Sequence, residues 1–221
     1  MTLQEFCSKQ DHSALGWVVT KETVKKYCDE VLKYGFASIC TNPDNIAYAA
    51  SLLKGRAGIA CVVGFPQGIA TTETKIAEGL RAIDDGATDL DFVINHSRLH
   101  EGDDAYVQNE LNAFVKAMKA KKPDVVVKII MYAPYDPVQP VSAEETVRAA
   151  NMIVASGADY IKFCKDFALI RSVVKGRIKM KHSGCATFDD CVNAIELGCD
   201  RIGHELAPQF IEENSTYFAE R

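Results

Sequence analysis

Ala158-Asp159-Tyr160-Ile161-Lys162 decides how this chain reads: it is a short run of strand character that ends on a lysine. Two other runs share the pattern. Gly176-Arg177-Ile178-Lys179-Met180-Lys181 closes on a second lysine, and Asp89-Leu90-Asp91-Phe92-Val93-Ile94 carries Asp91 at its centre. A charge inside a buried strand is costly unless it is paired or neutralised. Two lysines facing one interior disfavour each other's charge, so at least one is expected below the ordinary lysine value of about 10.4. An amine brought down to ~7–8 can attack a carbonyl and form a Schiff base. Lys162, Lys181 and Asp91 therefore sketch a carbonyl-handling site.

Outward from these runs, strand-like and helical periodicities alternate along the whole chain. The spacing predicts strands near 10–13, 36–41, 58–63, 89–94, 125–131, 158–163, 177–182 and 199–203. Helical spacing covers 21–34, 44–54, 72–85, 104–121, 143–156, 166–175, 187–197 and 206–214. Ser142-Ala143-Glu144-Glu145 fits a capping box and Thr187-Phe188-Asp189-Asp190 a looser one. Near-continuously apolar strands separated by helices imply a parallel sheet covered on both faces. Eight such units, with no GxGxxG fingerprint after an early strand, favour a closed (β/α)8 TIM barrel with a short N-terminal helix, residues 1–221 forming one domain. In that fold catalytic groups project from strand C-terminal ends, where Asp91, Lys128, Lys162 and Lys181 all fall. Three prolines in Ala133–Val141 rule out a helix or central strand there and suggest a lid-like loop.

Bulk properties narrow the partners. The 221 residues carry a net charge of −5, with 25% charged and 48% hydrophobic residues, an ordinary globular balance that argues against a nucleic-acid partner. The densest basic stretch, Lys116–Lys122, precedes Pro123 at helical spacing and reads as a solvated helix C-terminus. Met1–Ser13 lacks the basic and apolar regions of a signal peptide, and no apolar stretch is long enough to span a membrane. Eight cysteines without a CxxC pair suit reduced, buried thiols, so a cytoplasmic location is expected. Cys164, His182, Cys185, His204 and Glu205 are zinc-type ligands, but they match no recognised ligand spacing, and alternation puts His182 on the opposite strand face from Lys181. No metal or cofactor is expected.

Several ordered segments then resemble one family. Gly35–Pro43 (GFASICTNP), Cys61–Gly68 (CVVGFPQG), Thr71–Lys75, Asp89–Asn95 (DLDFVIN), Lys128–Met131, Gly157–Lys162 (GADYIK) and Lys181–Gly184 (KHSG) are similar to the deoxyribose-phosphate aldolases, between about Asp11 and Ile211. The resemblance implies a class I, metal-independent aldolase that reversibly cleaves 2-deoxy-D-ribose 5-phosphate to glyceraldehyde 3-phosphate and acetaldehyde. It implies Lys162 as the Schiff-base lysine and Lys181 as the neighbour whose charge lowers the nucleophile's pKa. Asp91 matches the acid that relays protons with a water. Asp11, Ser13, Cys40, Lys128, Gly184, Gly203 and His204 are the positions expected to line the substrate pocket. The family also suggests a homodimer or larger homo-oligomer. From the residues alone, a snorkelling Lys162 and a structural Lys181–Asp91 ion pair stay open.

The departures gather at the phosphate end. Where the family has a small, glycine-rich turn after its Schiff-base lysine, this chain has Phe163-Cys164-Lys165-Asp166-Phe167. His182-Ser183-Gly184-Cys185-Ala186-Thr187 keeps one glycine and loses an arginine, and Gly203-His204-Glu205 replaces a glycine followed by paired serines. Phosphate dianions are held by backbone N–H groups in such turns, aided by hydroxyls, and Glu205 would repel one. Three readings follow: a deoxyribose-phosphate aldolase with a rebuilt phosphate site, a Schiff-base aldolase or lyase for another carbonyl compound, and a non-catalytic member.

Overall fold

The computed structural model describes residues 1–131 and 141–219. In chain order the elements are α1 (Leu3–Ser8), β1 (Gln10–Ala14), α2 (Lys21–Tyr34), β2 (Ser38–Thr41), α3 (Ile46–Leu53), β3 (Gly58–Val63), α4 (Thr72–Asp84), β4 (Asp89–Val93), α5 (His96–His100) and α6 (Asp104–Lys121). They continue with β5 (Val126–Ile130), α7 (Ala143–Ala155), β6 (Tyr160–Phe163), α8 (Phe167–Val174), β7 (Lys179–Ser183), α9 (Phe188–Glu196), β8 (Arg201–His204), α10 (Ala207–Glu213) and α11 (Ser215–Ala219). The eight strands pair in parallel and in sequence order, with β8 returning to β1, so the sheet closes into a (β/α)8 barrel. The expected lid-like loop at Ala133–Val141 lies, but for Val141, outside the described residues.

Side-chain alternation assigns each strand residue to one of two environments. Outward positions are apolar and pack under the helices: Leu90 and Phe92 on β4, Val127 and Ile129 on β5, Ile161 and Phe163 on β6. Phe92 meets Phe114 of α6 at 4.2 Å between ring centroids. Inward positions carry the charges, and register sets them side by side: Asp91 pairs with Lys128, Lys162 with Lys181, and Lys181 with Arg201. The expectation of strands apolar on both faces therefore holds only for the outer layer. Inside the barrel, Cys40, Ala60 and Val62 form a small apolar cluster on β2 and β3.

Local chemistry sets the helix limits. Ser142 and Thr187 each close a capping box at the starts of α7 and α9, as their sequences indicate. Gly35 ends α2 in the left-handed region at φ +71°, which frees the chain to turn directly into β2. The helix expected over 44–54 begins only at Ile46, because Pro43–Asn45 form a separate 3₁₀ turn. The short helices α5 and α11 had no periodicity long enough to reveal them.

Candidate active site

Seven charged side chains meet inside the barrel. Asp91 Oδ2 accepts hydrogen bonds from Lys162 Nζ at 2.7 Å and from Lys181 Nζ at 2.9 Å, while Asp91 Oδ1 lies 3.3 Å from Lys128 Nζ. Lys181 Nζ also stands 2.6 Å from Asp11 Oδ2, and Asp11 Oδ1 accepts from Ser38 Oγ at 2.7 Å and Arg201 Nη1 at 3.2 Å. Lys128 reaches Asp89 and, at 3.4 Å, Asp11. Lys128, Lys162, Lys181 and Arg201 thus face Asp11, Asp89 and Asp91, four cations against three anions. Lys128, Lys181, Asp11 and Asp91 are completely buried, whereas Lys162 retains 5% exposure and touches one carboxylate. It is the lysine of the three with access to a ligand.

Burial alone would neutralise such groups, so their charge states follow from the balance of partners. Burial pushes the Asp91 carboxyl up, but the ammonium groups of Lys128, Lys162 and Lys181 outweigh it and hold the acid well below the ordinary range. Asp11 is depressed in the same way by Lys128, Lys181 and Arg201. Lys181 corrects the simple like-charge expectation. Burial and Lys128 disfavour its charge, yet Asp11 and Asp91 prevail and raise it above the usual lysine range. Lys181 is therefore a fixed cation beside Lys162. The Cys40 thiol, 3.9 Å from Asp91 Oδ2, is pushed up by burial and then by that carboxylate.

Other expected pocket positions divide. Ser13 lies near the same layer, its hydroxyl donating to the Asp11 carbonyl at 3.1 Å. Gly203 makes room for Lys181: a Cβ there would fall 2.9 Å from Lys181 Cε and 3.5 Å from its Nζ. Asp11 and Lys128 are present, but as fully paired, buried members of the ion network.

The last two expected positions have other partners. Gly184 donates its N–H to the Gly203 carbonyl at 3.0 Å, so that donor is already spent. His204 follows the inward Gly203 and so turns outward, stacking on Phe210 and lying 3.1 Å from Gln10 Oε1. Burial, with the charge of His12, lowers its pKa to about 4, so it stays neutral and supplies no cation to a phosphate. His182 likewise sits outside, edge-on to Phe163, as its alternation with Lys181 requires.

Sequence reasoning missed Ser38, Asp89 and Arg201 as network members. The signal was available, since Asp89 precedes Asp91 by two residues and therefore shares its face. Arg201 could be placed only through the β7–β8 register. A second buried ion pair, Lys75–Glu110 at 2.6 Å, was also missed. Lys75 there donates to the carbonyls of Gly68 and Val93, tying the loop after β3 to the end of β4.

Comparison with known proteins places this arrangement in a family. The family model described as DeoC/LacD family aldolase matches residues 4–194. Deoxyribose-phosphate aldolase of Caldanaerobacter subterraneus subsp. tengcongensis is 37% identical, across 96% of this chain and 94% of the relative. The enzyme of that name from Thermococcus kodakarensis is 33% identical, across 96% of this chain and 98% of the relative. Among solved structures, the tetrameric deoxyribose phosphate aldolase of Aeropyrum pernix superposes with a TM-score of 0.85 at 26% identity, covering 98% of this chain and 93% of that one. With a closed barrel, a matching profile over most of its length and relatives of this similarity, the chain belongs to the DeoC/LacD family of aldolases.

Proposed function

We propose that this protein is a class I aldolase that cleaves 2-deoxy-D-ribose 5-phosphate reversibly to acetaldehyde and glyceraldehyde 3-phosphate, with Lys162 as the Schiff-base nucleophile. The observation that carries the reading is Asp91 Oδ2, shared at hydrogen-bond distance by a partly accessible lysine and a fully buried one. Lys162 attacks the aldehyde carbon of the open-chain sugar. Asp91, 2.7 Å away, takes the proton released by the amine and returns one to the carbinolamine hydroxyl, which leaves as water. The resulting iminium accepts the electron pair of the breaking C2–C3 bond, while the C3 hydroxyl gives up its proton and glyceraldehyde 3-phosphate departs. Protonation of the enamine at C2 and hydrolysis of the iminium release acetaldehyde and regenerate the amine. Lys181, held charged by Asp11 and Asp91, sets a fixed positive charge beside the nucleophile.

A second reading, an aldolase acting on a non-phosphorylated acceptor, is favoured by the donors missing at the phosphate end. The Gly184 N–H is committed, His204 is turned away, and Glu205 is an exposed anion beside the end of β8. Each lost hydrogen bond to a charged group removes about 1.5–3 kcal/mol. Turnover of deoxyribose 5-phosphate and of deoxyribose, followed as acetaldehyde release, separates the two. A kcat/KM ratio of several hundred supports the phosphorylated substrate, and a ratio near one supports the second reading. No acetaldehyde from either would contradict both. A homo-oligomeric assembly, as in the tetrameric Aeropyrum pernix relative, belongs to the same proposal.

A further inference from the structure

The turn between β3 and α4 is fastened to the end of β4 by buried charge. It closes on itself where the Gly68 N–H donates to the Gly64 carbonyl at 2.7 Å. Glu78 Oε2, on α4, accepts from the Gly64 N–H at 2.7 Å. Lys75, three residues earlier on the same helix, donates to the Gly68 carbonyl at 2.8 Å and to the Val93 carbonyl at 3.1 Å. Its partner Glu110 on α6, 2.6 Å away, accepts from the Asn95 N–H at 3.1 Å. Both side chains of this pair are fully buried, and Lys75 Nζ lies 4.6 Å from the centre of the Phe92 ring. Packing leaves the turn no slack. A Cβ on Gly68 would collide with the Ile94 carbonyl and fall 3.0 Å from Val93 Cγ1, and one on Gly64 would fall 2.7 Å from Lys75 Cδ.

Both sides of this clamp lead to the charged network. Val93 follows Asp91 by two residues on β4 and so shares its inward face. Phe65, within the turn, packs together with Leu15 on the Cys40, Ala60 and Val62 cluster inside the barrel. Cys40 Sγ in turn is 3.9 Å from Asp91 Oδ2.

We propose that the Lys75–Glu110 pair, with Glu78, is a positioning device for the aldolase site: it seats Phe65 as an apolar wall in the barrel mouth and holds the end of β4 so that Asp91 meets Lys162. The inference rests on the Schiff-base reading of Lys162. Stability alone is a poor reason for such a pair. Burial works against both of its charges, and a buried ion pair can often be exchanged for apolar side chains without loss of stability. Apolar side chains could not hold the Gly68 and Val93 carbonyls and the Asn95 N–H in fixed places. Placement matters, since a shift of about 1 Å caused far from the chemistry can cost about 10²-fold in rate.

The test compares the full-length protein with Lys75→Met/Glu110→Gln, which removes both charges while the glutamine oxygen can still accept from Asn95. Thermal unfolding shows where each protein is folded. Acetaldehyde release from deoxyribose 5-phosphate and from deoxyribose is then followed below that transition, and N-ethylmaleimide labelling of Cys40 reports whether Phe65 still covers it. Cys28, buried on α2 outside the barrel, is the internal reference, and trypsin cleavage after Lys33 puts the two thiols on separate peptides. In the folded variant kcat/KM should fall about 10²-fold. Cys40 should be labelled about ten-fold faster as the turn opens locally, with Cys28 unchanged. A merely structural pair would lower Tm and speed both thiols together, with kcat/KM of the folded protein unaltered, and that result would overturn the proposal. Should the double variant fail to fold, Glu78, which is partly exposed, decides. Glu78→Leu should expose Cys40 and lower kcat/KM, and Glu78→Gln, which keeps an acceptor for the Gly64 N–H, should restore both. Equal behaviour of the two Glu78 variants would overturn the proposal. Labelling needs no turnover, so a parent protein that releases no acetaldehyde contradicts the Schiff-base reading, while the seating of Phe65 is still judged on Cys40.

Discussion

Asp91→Asn removes one charge from the centre of the network while keeping its shape. The amide leaves Lys128, Lys162, Lys181 and Arg201 facing only Asp11 and Asp89, and it breaks contacts of 2.7 and 2.9 Å to two lysines. Removing one partner of a buried pair costs about 3–5 kcal/mol. At roughly 2–4 °C per kcal/mol for a chain of this size, Tm should fall by about 6–20 °C near pH 7. The sign against pH follows from the depressed Asp91 carboxyl. A group whose folded-state pKa lies below its unfolded value, about 3.9, stabilises fully above that value, and the contribution is lost as pH falls through the lower folded value. The Tm gap between parent and variant should therefore be flat from about pH 5 to 8 and shrink below about pH 4. If Asp91 relays protons, kcat should drop by about 10²–10⁴ with a smaller change in KM. Thermal unfolding across pH and steady-state acetaldehyde release measure both effects. A variant with unchanged Tm and kcat within three-fold would refute the reasoning.

Gly203→Ala sets a methyl 2.9 Å from Lys181 Cε, so this buried side chain must shift against its contacts with Asp11 and Asp91. Overpacking of this kind costs about 1–3 kcal/mol, and denaturant unfolding should register it together with a reduced kcat. Unchanged stability and rate would mean that Lys181 has room the structure does not show. His204→Gln should leave KM for the phosphorylated sugar unaltered, since His204 packs outside the barrel; a several-fold rise in KM would return it to the substrate pocket. The same variant should flatten the acid loss of stability between about pH 6.5 and 4. The His204 pKa is lowered to about 4 by burial, so the neutral ring stabilises the fold above the unfolded value and ceases to as pH falls.

The barrel was legible because eight largely apolar strand runs, such as those holding Phe92, Ile129 and Ile161, alternate with helical spacing, and because capping residues such as Ser142 and Thr187 mark helix starts. The three residues Lys162, Lys181 and Asp91 were legible as charges inside such runs. What they share was not. Whether two lysines repel each other or are each held by carboxylates depends on Asp11, which arrives from β1 across the barrel. Sequence spacing carries no such information between distant strands. The same limit explains His204, since only the observed register makes Gly203 the inward residue of β8. At the phosphate end, Gly184 looked like an available donor until the structure committed its N–H to Gly203.

Borohydride reduction in the presence of acetaldehyde tests the central claim most directly. If Lys162 is the Schiff-base nucleophile, the trapped protein gains one ethyl group, and fragmentation places it on Lys162, between Ile161 and Phe163. Lys162→Ala should lose both the adduct and turnover while remaining folded. An adduct confined to another lysine, or undiminished turnover in Lys162→Ala, would contradict the account.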